Sequence, residues 1–161
     1  MKAIIIFCSK TGNTEKVATA IQAGLGGNAD VIRLNLNNDG LLREFCPDFK
    51  FDLADYDLIF FGGWIMVMKM HPFLTAYIQR CENIDGKKVV GFATGGTIFS
   101  RMHAIKDFTV LVEERGAEVL DFHYVTTLLG PLLTKKKLVN ASRFATDIAD
   151  RFYSEQAETV V

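Results

Sequence analysis

The sequence predicts an α/β domain built on a doubly wound, five-stranded parallel sheet of order 2-1-3-4-5. Three observations carry that prediction. Short apolar blocks rich in β-branched residues alternate with longer stretches of helical period, as strand–helix–strand units do. The first block, Lys2-Ala3-Ile4-Ile5-Ile6-Phe7, is apolar without alternation, as a strand covered on both faces must be. Three loops bearing glycines or hydroxyls, 8–14, 62–70 and 94–99, follow the first, third and fourth blocks. In such sheets ligands bind beyond the carboxyl ends of the strands, at the switch point between strands one and three.

The elements follow in order. After the first strand, Val17, Ala20, Ile21 and Leu25 recur at helical spacing, so a helix opens at Thr14. It ends near Gly24-Leu25-Gly26-Gly27, whose glycines suit a C-terminal cap. Asp30-Val31-Ile32-Arg33-Leu34-Asn35-Leu36 alternates enough for a second strand near an edge. A polar stretch from Asn37 to Asp55 contains Pro47 and Leu41-Leu42-Arg43-Glu44-Phe45, which allows a helical turn or two.

Tyr56-Asp57-Leu58-Ile59-Phe60-Phe61 reads as the third strand, ending at Gly62-Gly63. A loop from Trp64 to Met70 then leads to His71-Pro72. Pro72 suits the first position of a helix through Phe73, Leu74, Tyr77, Ile78 and Cys81. Asp85-Gly86 marks a turn before strand four, Lys88 to Ala93. A helix from Ser100 to Arg115 turns Ile105, Phe108, Leu111 and Val112 inward, and Gly116 ends it. Strand five is Ala117 to Val125. The last helix, Leu138 to Tyr153, has Val139, Phe144, Ile148 and Phe152 in one stripe, with a frayed tail from Glu155.

The 161 residues suffice for one domain, taken as 1–161, with one sizeable core. No apolar run reaches the roughly 18 residues of a membrane helix. The apolar run after Lys2 is too short for a signal peptide and leads into Ser-Lys-Thr-Gly-Asn, so a cytoplasmic location is expected. A formal net charge of −1 gives no support for nucleic-acid binding, and Lys135-Lys136-Lys137 reads as a solvated helix start. Cys8, Cys46 and Cys81 lack C-x-x-C spacing, and His71, His103 and His123 form no H-x-x-x-H pair. Reduced thiols and no metal are expected.

Chemistry concentrates in the first loop. Ser9, Thr11, Asn13 and Thr14 offer side-chain donors around one turn, and Gly12 lets the backbone approach closely. Unpaired N–H groups at the helix start favour an anion there, and a phosphate monoester fits neutral dipoles of this kind. An ordinary cap by Asn13 or Thr14 would explain either residue taken singly. Competing phosphate motifs fail at named positions. A triphosphate loop needs G-x-x-x-x-G-K-[ST], but Asn13 follows Gly12. A dinucleotide fingerprint needs three glycines where one stands. A cysteine phosphatase built on Cys8 would need arginine where Thr14 stands. A phosphoacceptor receiver would need acidic residues where Cys8-Ser9 stand.

Ser9-Lys10-Thr11-Gly12-Asn13-Thr14 resembles the [ST]-x-T-G-N-T phosphate loop of the flavodoxin family, and Glu15-Lys16-Val17-Ala18 continues the likeness. The resemblance extends in element order over nearly the whole chain. It implies non-covalent flavin mononucleotide (FMN), with its phosphate in the first loop and its isoalloxazine ring between the second and third. Members of this size often carry G-[ST]-P-x-[YW]-x-G-x-x-x-P in the second loop. Here Gly62-Gly63-Trp64-Ile65-Met66-Val67-Met68-Lys69-Met70-His71-Pro72 keeps the first glycine and final proline. Trp64 stands where proline is common and Met66 where an aromatic stacks on the flavin.

The resemblance therefore places Gly63, Trp64, Ile65 and Met66 at the ring. Trp64 supplies a stacking face, or is a core anchor while Met66 touches the flavin edge. Met66, Met68 and Met70 line a ring pocket, a partner surface, or merely the loop. Thr94, Gly95, Gly96 and Thr97 resemble the segment meeting the flavin's pyrimidine edge, and Phe99 either covers the ring's other face or joins the core. The implied function is electron transport between redox partners, with the flavin supplying the chemistry and no catalytic side chain. An FMN-dependent NAD(P)H:quinone or porphyrinogen-type oxidoreductase is the alternative, with a small electron acceptor in place of a partner protein. The near-neutral charge favours it, since electron-carrying flavodoxins are strongly acidic. A flavin-free interaction module is the third reading.

Overall fold

The computed structural model describes residues 1–34, 51–66, 68–127 and 133–159. Its first strand, β1 (Ala3–Phe7), is buried at every position, as its unbroken apolar run requires. Helix α1 (Asn13–Gly24) returns the chain to β2 (Asp30–Arg33), which pairs in parallel with β1. The expected end of that strand at Asn35-Leu36, the 41–45 helical turn, Pro47 and Cys46 lie outside the described residues. The chain is next described at β3 (Phe51–Asp52), then at β4 (Leu58–Met66) and β5 (Lys69–Met70).

Helix α2 (Pro72–Arg80) begins at its proline and leads into β6 (Cys81–Glu82), the parallel partner of β3. The remaining elements are β7 (Lys88–Gly95), α3 (Phe99–Glu113), β8 (Glu118–Thr126) and α4 (Lys135–Thr159). The main sheet runs β2-β1-β4-β7-β8, all parallel, so its five principal strands take the predicted 2-1-3-4-5 order.

Alternation along β1 and β4 divides the interior. Ile4, Ile6, Ile59 and Phe61 face a core shared with Leu74, Tyr77 and Ile78 of α2 and Phe108 and Val112 of α3. Ala3, Ile5, Phe7, Leu58 and Phe60 face a second core with Val17 and Ile21 of α1 and Ala141, Ala145, Ile148 and Phe152 of α4. Each large side chain withdrawn from water on either face contributes about 1.5–3 kcal/mol.

Four sequence expectations are corrected. The third strand passes through Gly62-Gly63 instead of stopping there. Gly62 pairs with Phe7 on one side and Phe92 on the other, and the Phe92 ring occupies the space a Cβ would fill. These glycines serve close packing, not a turn. Trp64, Ile65 and Met66 accordingly lie on a strand: Ile65 and Met66 pair antiparallel with Met70 and Lys69 in a short hairpin. Val139 is 49% exposed, and the buried stripe of α4 runs through small residues where α4 meets α1. Gly24 of α1 lies so close to the Ser142 carbonyl that no Cβ would fit. Finally, α4 continues to Thr159, past the expected fraying point at Glu155. No described helix is long and apolar enough to cross a membrane.

Candidate functional site

The carboxyl edge of the sheet brings β1, β4 and β7 out side by side, and their loops enclose a cleft of about 180 Å³. Lys10, Thr11, Asn13 and Thr14 line one side. Trp64, Ile65, Thr94, Gly95, Gly96 and Thr127 line the rest. Parallel pairing explains the convergence, since Trp64 sits opposite Thr94 in the β4–β7 register.

The first loop turns at Gly12, whose φ of 83° is the left-handed conformation glycine adopts without penalty. Ser9 Oγ closes the turn by accepting from the Gly12 N–H at 3.1 Å. Gly12 is also the N-cap of α1, and no side chain among the described residues caps the helix. The capping role open to Asn13 or Thr14 from the sequence is thus taken by neither. The first-turn N–H groups keep the positive end of the helix available to an anion. Asn13 and Thr14 are nevertheless buried, and among the described residues the Asn13 Oδ1 has no hydrogen-bond partner. A buried amide oxygen left unpaired costs about 1–3 kcal/mol, so the site favours a ligand bringing both acceptor oxygens and hydroxyls. A phosphorylated polyol fits that demand.

Thr14 Oγ1 and Thr94 Oγ1 hydrogen-bond at 3.0 Å in the interior, joining the first loop to the third. Tyr124 of β8 donates its hydroxyl to the Thr97 carbonyl at 2.7 Å. Burial pushes its phenol upward, so it stays a donor at neutral pH. A Cβ on Gly95 would meet the Tyr124 hydroxyl, so any other residue there would have to displace that ring. Thr127 adds its backbone N–H to the Gly95 carbonyl at 2.8 Å. Neither Tyr124 nor Thr127 stands out in the sequence; a polar pair just where strand five ends is the only signal. Tyr124→Phe should cost about 1 kcal/mol of stability and speed amide exchange at Gly96–Ile98. Unchanged exchange would show that the loop is held otherwise.

Trp64 packs half-buried against the core that α2 and α3 share, and it also lines the cleft. A Cβ on Gly63 would meet Leu74, Cys8 and Met70 of the core. Met66 is 44% exposed and lines a separate cavity of about 560 Å³ with Met70, Pro72 and Phe108. Thr97 hydrogen-bonds through its hydroxyl to Ser100 at 2.9 Å. Phe99 is 78% exposed, so it does not join the core, and it is not among the residues lining the cleft. Cys8 is buried, and burial pushes its thiol up to about 12, which leaves no thiolate nucleophile under the loop. Among the described residues no group of three or more His, Cys, Asp or Glu is placed to hold a metal.

Comparison with known proteins adds independent findings. A family model described as "Flavodoxin domain" matches residues 4–136. The chain is 30% identical over 121 residues to an uncharacterized protein of Methanocaldococcus jannaschii, covering 74% of this chain and 71% of that one. It is 29% identical over 99 residues to the flavodoxin-like domain-containing protein BilS of Clostridioides difficile, covering 60% of this chain and 48% of BilS. The matched region is thus about half the length of BilS. Among solved structures, oxidised flavodoxin 2 from Bacillus cereus superposes with a TM-score of 0.67 at 25% identity, covering 94% of this chain and 99% of that one.

Proposed function

The chain belongs to the flavodoxin domain family, and on that premise we propose that it binds FMN non-covalently and carries electrons between redox partners. The observation that carries the proposal is the uncapped start of α1 with its buried, unpaired Asn13 amide oxygen. FMN has a phosphate for the first and ribityl hydroxyls for the second.

Ser9, Thr11 and Thr14 would hold the phosphate with their hydroxyls, and Lys10 would bring positive charge beside it. Thr94, Gly95, Gly96 and Thr97 would present backbone N–H groups to the ring carbonyls, while Trp64 and Ile65 would wall the ring. Bound flavin supplies one- and two-electron transfer, and the protein's part is to bind, orient and tune it. No acid–base side chain is required. The buried Thr14–Thr94 hydrogen bond ties the first loop to the third at the cleft.

A second reading, an FMN-dependent reductase of quinones or similar small acceptors, draws on the net charge of −1. That charge gives little long-range steering toward a basic protein partner. FMN-loaded protein mixed with NAD(P)H and a quinone separates the two. The carrier reading predicts slow nicotinamide oxidation and rapid electron uptake from a reductase or chemical donor; fast turnover with the quinone alone would refute it.

A further inference from the structure

His71 lies between β5 and α2 and is 4% exposed. Its Nδ1 accepts from the Phe73 N–H at 3.2 Å, capping α2. Nδ1 therefore carries no proton, and the neutral ring holds its hydrogen on Nε2. The His71 backbone N–H donates to the Trp64 carbonyl at 3.2 Å. The two rings lie 4.1 Å apart between centroids, inclined at 40°. Trp64 is a wall of the cleft. One side chain thus ties together the hairpin, the start of α2 and the ligand-facing indole.

We propose that His71 is a positioning residue that holds the Trp64 indole as a wall of the cleft while its own ring is neutral, and releases it on protonation. A proton on Nδ1 would remove the acceptor that the first turn of α2 uses. It would also place a cation in a buried site. Burial, and secondarily the positive charge of Lys10 in the first loop, hold His71 below the usual histidine range.

Among the described residues, other titratable groups lie on the elements adjoining His71. Lys69 lies two residues earlier on β5. On α2, Tyr77 is kept neutral by burial and Arg80 stands in the last turn. Cys8, near Gly63, is also kept neutral. An anion in the 9–14 loop would offset Lys10, so ligand phosphate and His71 protonation favour each other. That last coupling rests on the proposed function, whereas the His71–Trp64 contact does not.

The test uses the intrinsic fluorescence of the ligand-free chain, in which Trp64 is the single tryptophan. An indole released from its neutral partner ring meets more water and emits at longer wavelength. Emission should therefore shift to the red on acidification, with a midpoint below ~6.5. His71→Asn, which keeps a capping oxygen but cannot ionise, should abolish the transition; His123→Asn should keep it. Inorganic phosphate should raise the midpoint, and a phosphate arm that fails alone would count against the anion site, not against His71. The folded chain binds this proton more weakly than the unfolded chain. Stability should therefore fall as pH drops below ~6.5, and less steeply in His71→Asn. An emission wavelength unchanged from about pH 8 to about pH 5, or a transition surviving in both His71→Asn and His71→Gln, overturns the proposal. Should neither variant fold, proton resonances of the wild type decide it: the Trp64 indole N–H must titrate with the His71 ring, and an indole that does not overturns it.

Discussion

Replacing Thr11 and Thr14 together by alanine should weaken FMN binding by about a hundredfold or more while leaving riboflavin affinity nearly unchanged. A hydrogen bond to a charged group contributes about 1.5–3 kcal/mol, so two such bonds amount to two or more factors of ten in the dissociation constant. Both residues line the cleft at the uncapped start of α1, and Thr14 sits 1% exposed with its hydroxyl against that of Thr94. Riboflavin lacks the phosphate and therefore reports on the ring side alone. Calorimetric titration of both ligands into each variant gives the comparison. Equal weakening of the two would mean that the phosphate is held elsewhere.

Gly62→Ala should lower folding stability by roughly 3 kcal/mol, the upper end of what overpacking a well-packed core costs. The new Cβ would enter the Phe92 ring, which is fully buried and flanked by the sheet, so neither partner has room to yield. The shift is read as the urea midpoint, at unchanged slope if the unfolded chain is unaffected. The effect should reach the site as well, because Gly62 is two residues from Trp64 on the same strand. A loss under about 0.5 kcal/mol would mean that β4 and β7 are not packed as described.

The sheet was legible because its central strands are buried on both faces. Ile4-Ile5-Ile6 and Leu58-Ile59-Phe60-Phe61 have no polar position to obscure them, and the helices between carry a clear period. Pro72 and His71 likewise announced the start of α2 through local backbone chemistry. What failed depends on partners distant in sequence. Gly62-Gly63 looks like a turn until the Phe92 ring is seen to need the space. The α1–α4 interface sets Ser142 and Ala145 against Gly24, small residues with a weak hydrophobic signal, while the more conspicuous Val139 of the expected stripe is exposed. The two-residue strands β3 and β6 are too short to show a period.

The site divides in the same way. The loop 9–14 is contiguous in sequence and its chemistry could be read from residue types alone. Tyr124 and Thr127, which hold the third loop, and His71, which meets Trp64, act through hydrogen bonds or ring contacts from other elements, which no local pattern encodes. Phe99 shows the converse: an aromatic beside an apolar helix can read as core, but the first residue of α3 faces solvent.

The central claim is that this cleft is an FMN site. Its most direct test is the absorbance spectrum of the chain titrated with FMN after removal of any flavin carried through purification. The account predicts saturable uptake of one FMN per chain with a resolved, shifted flavin band, and weaker uptake of riboflavin. A spectrum that remains that of free FMN, at concentrations where the uncapped α1 start and the three loops should be filled, would contradict it.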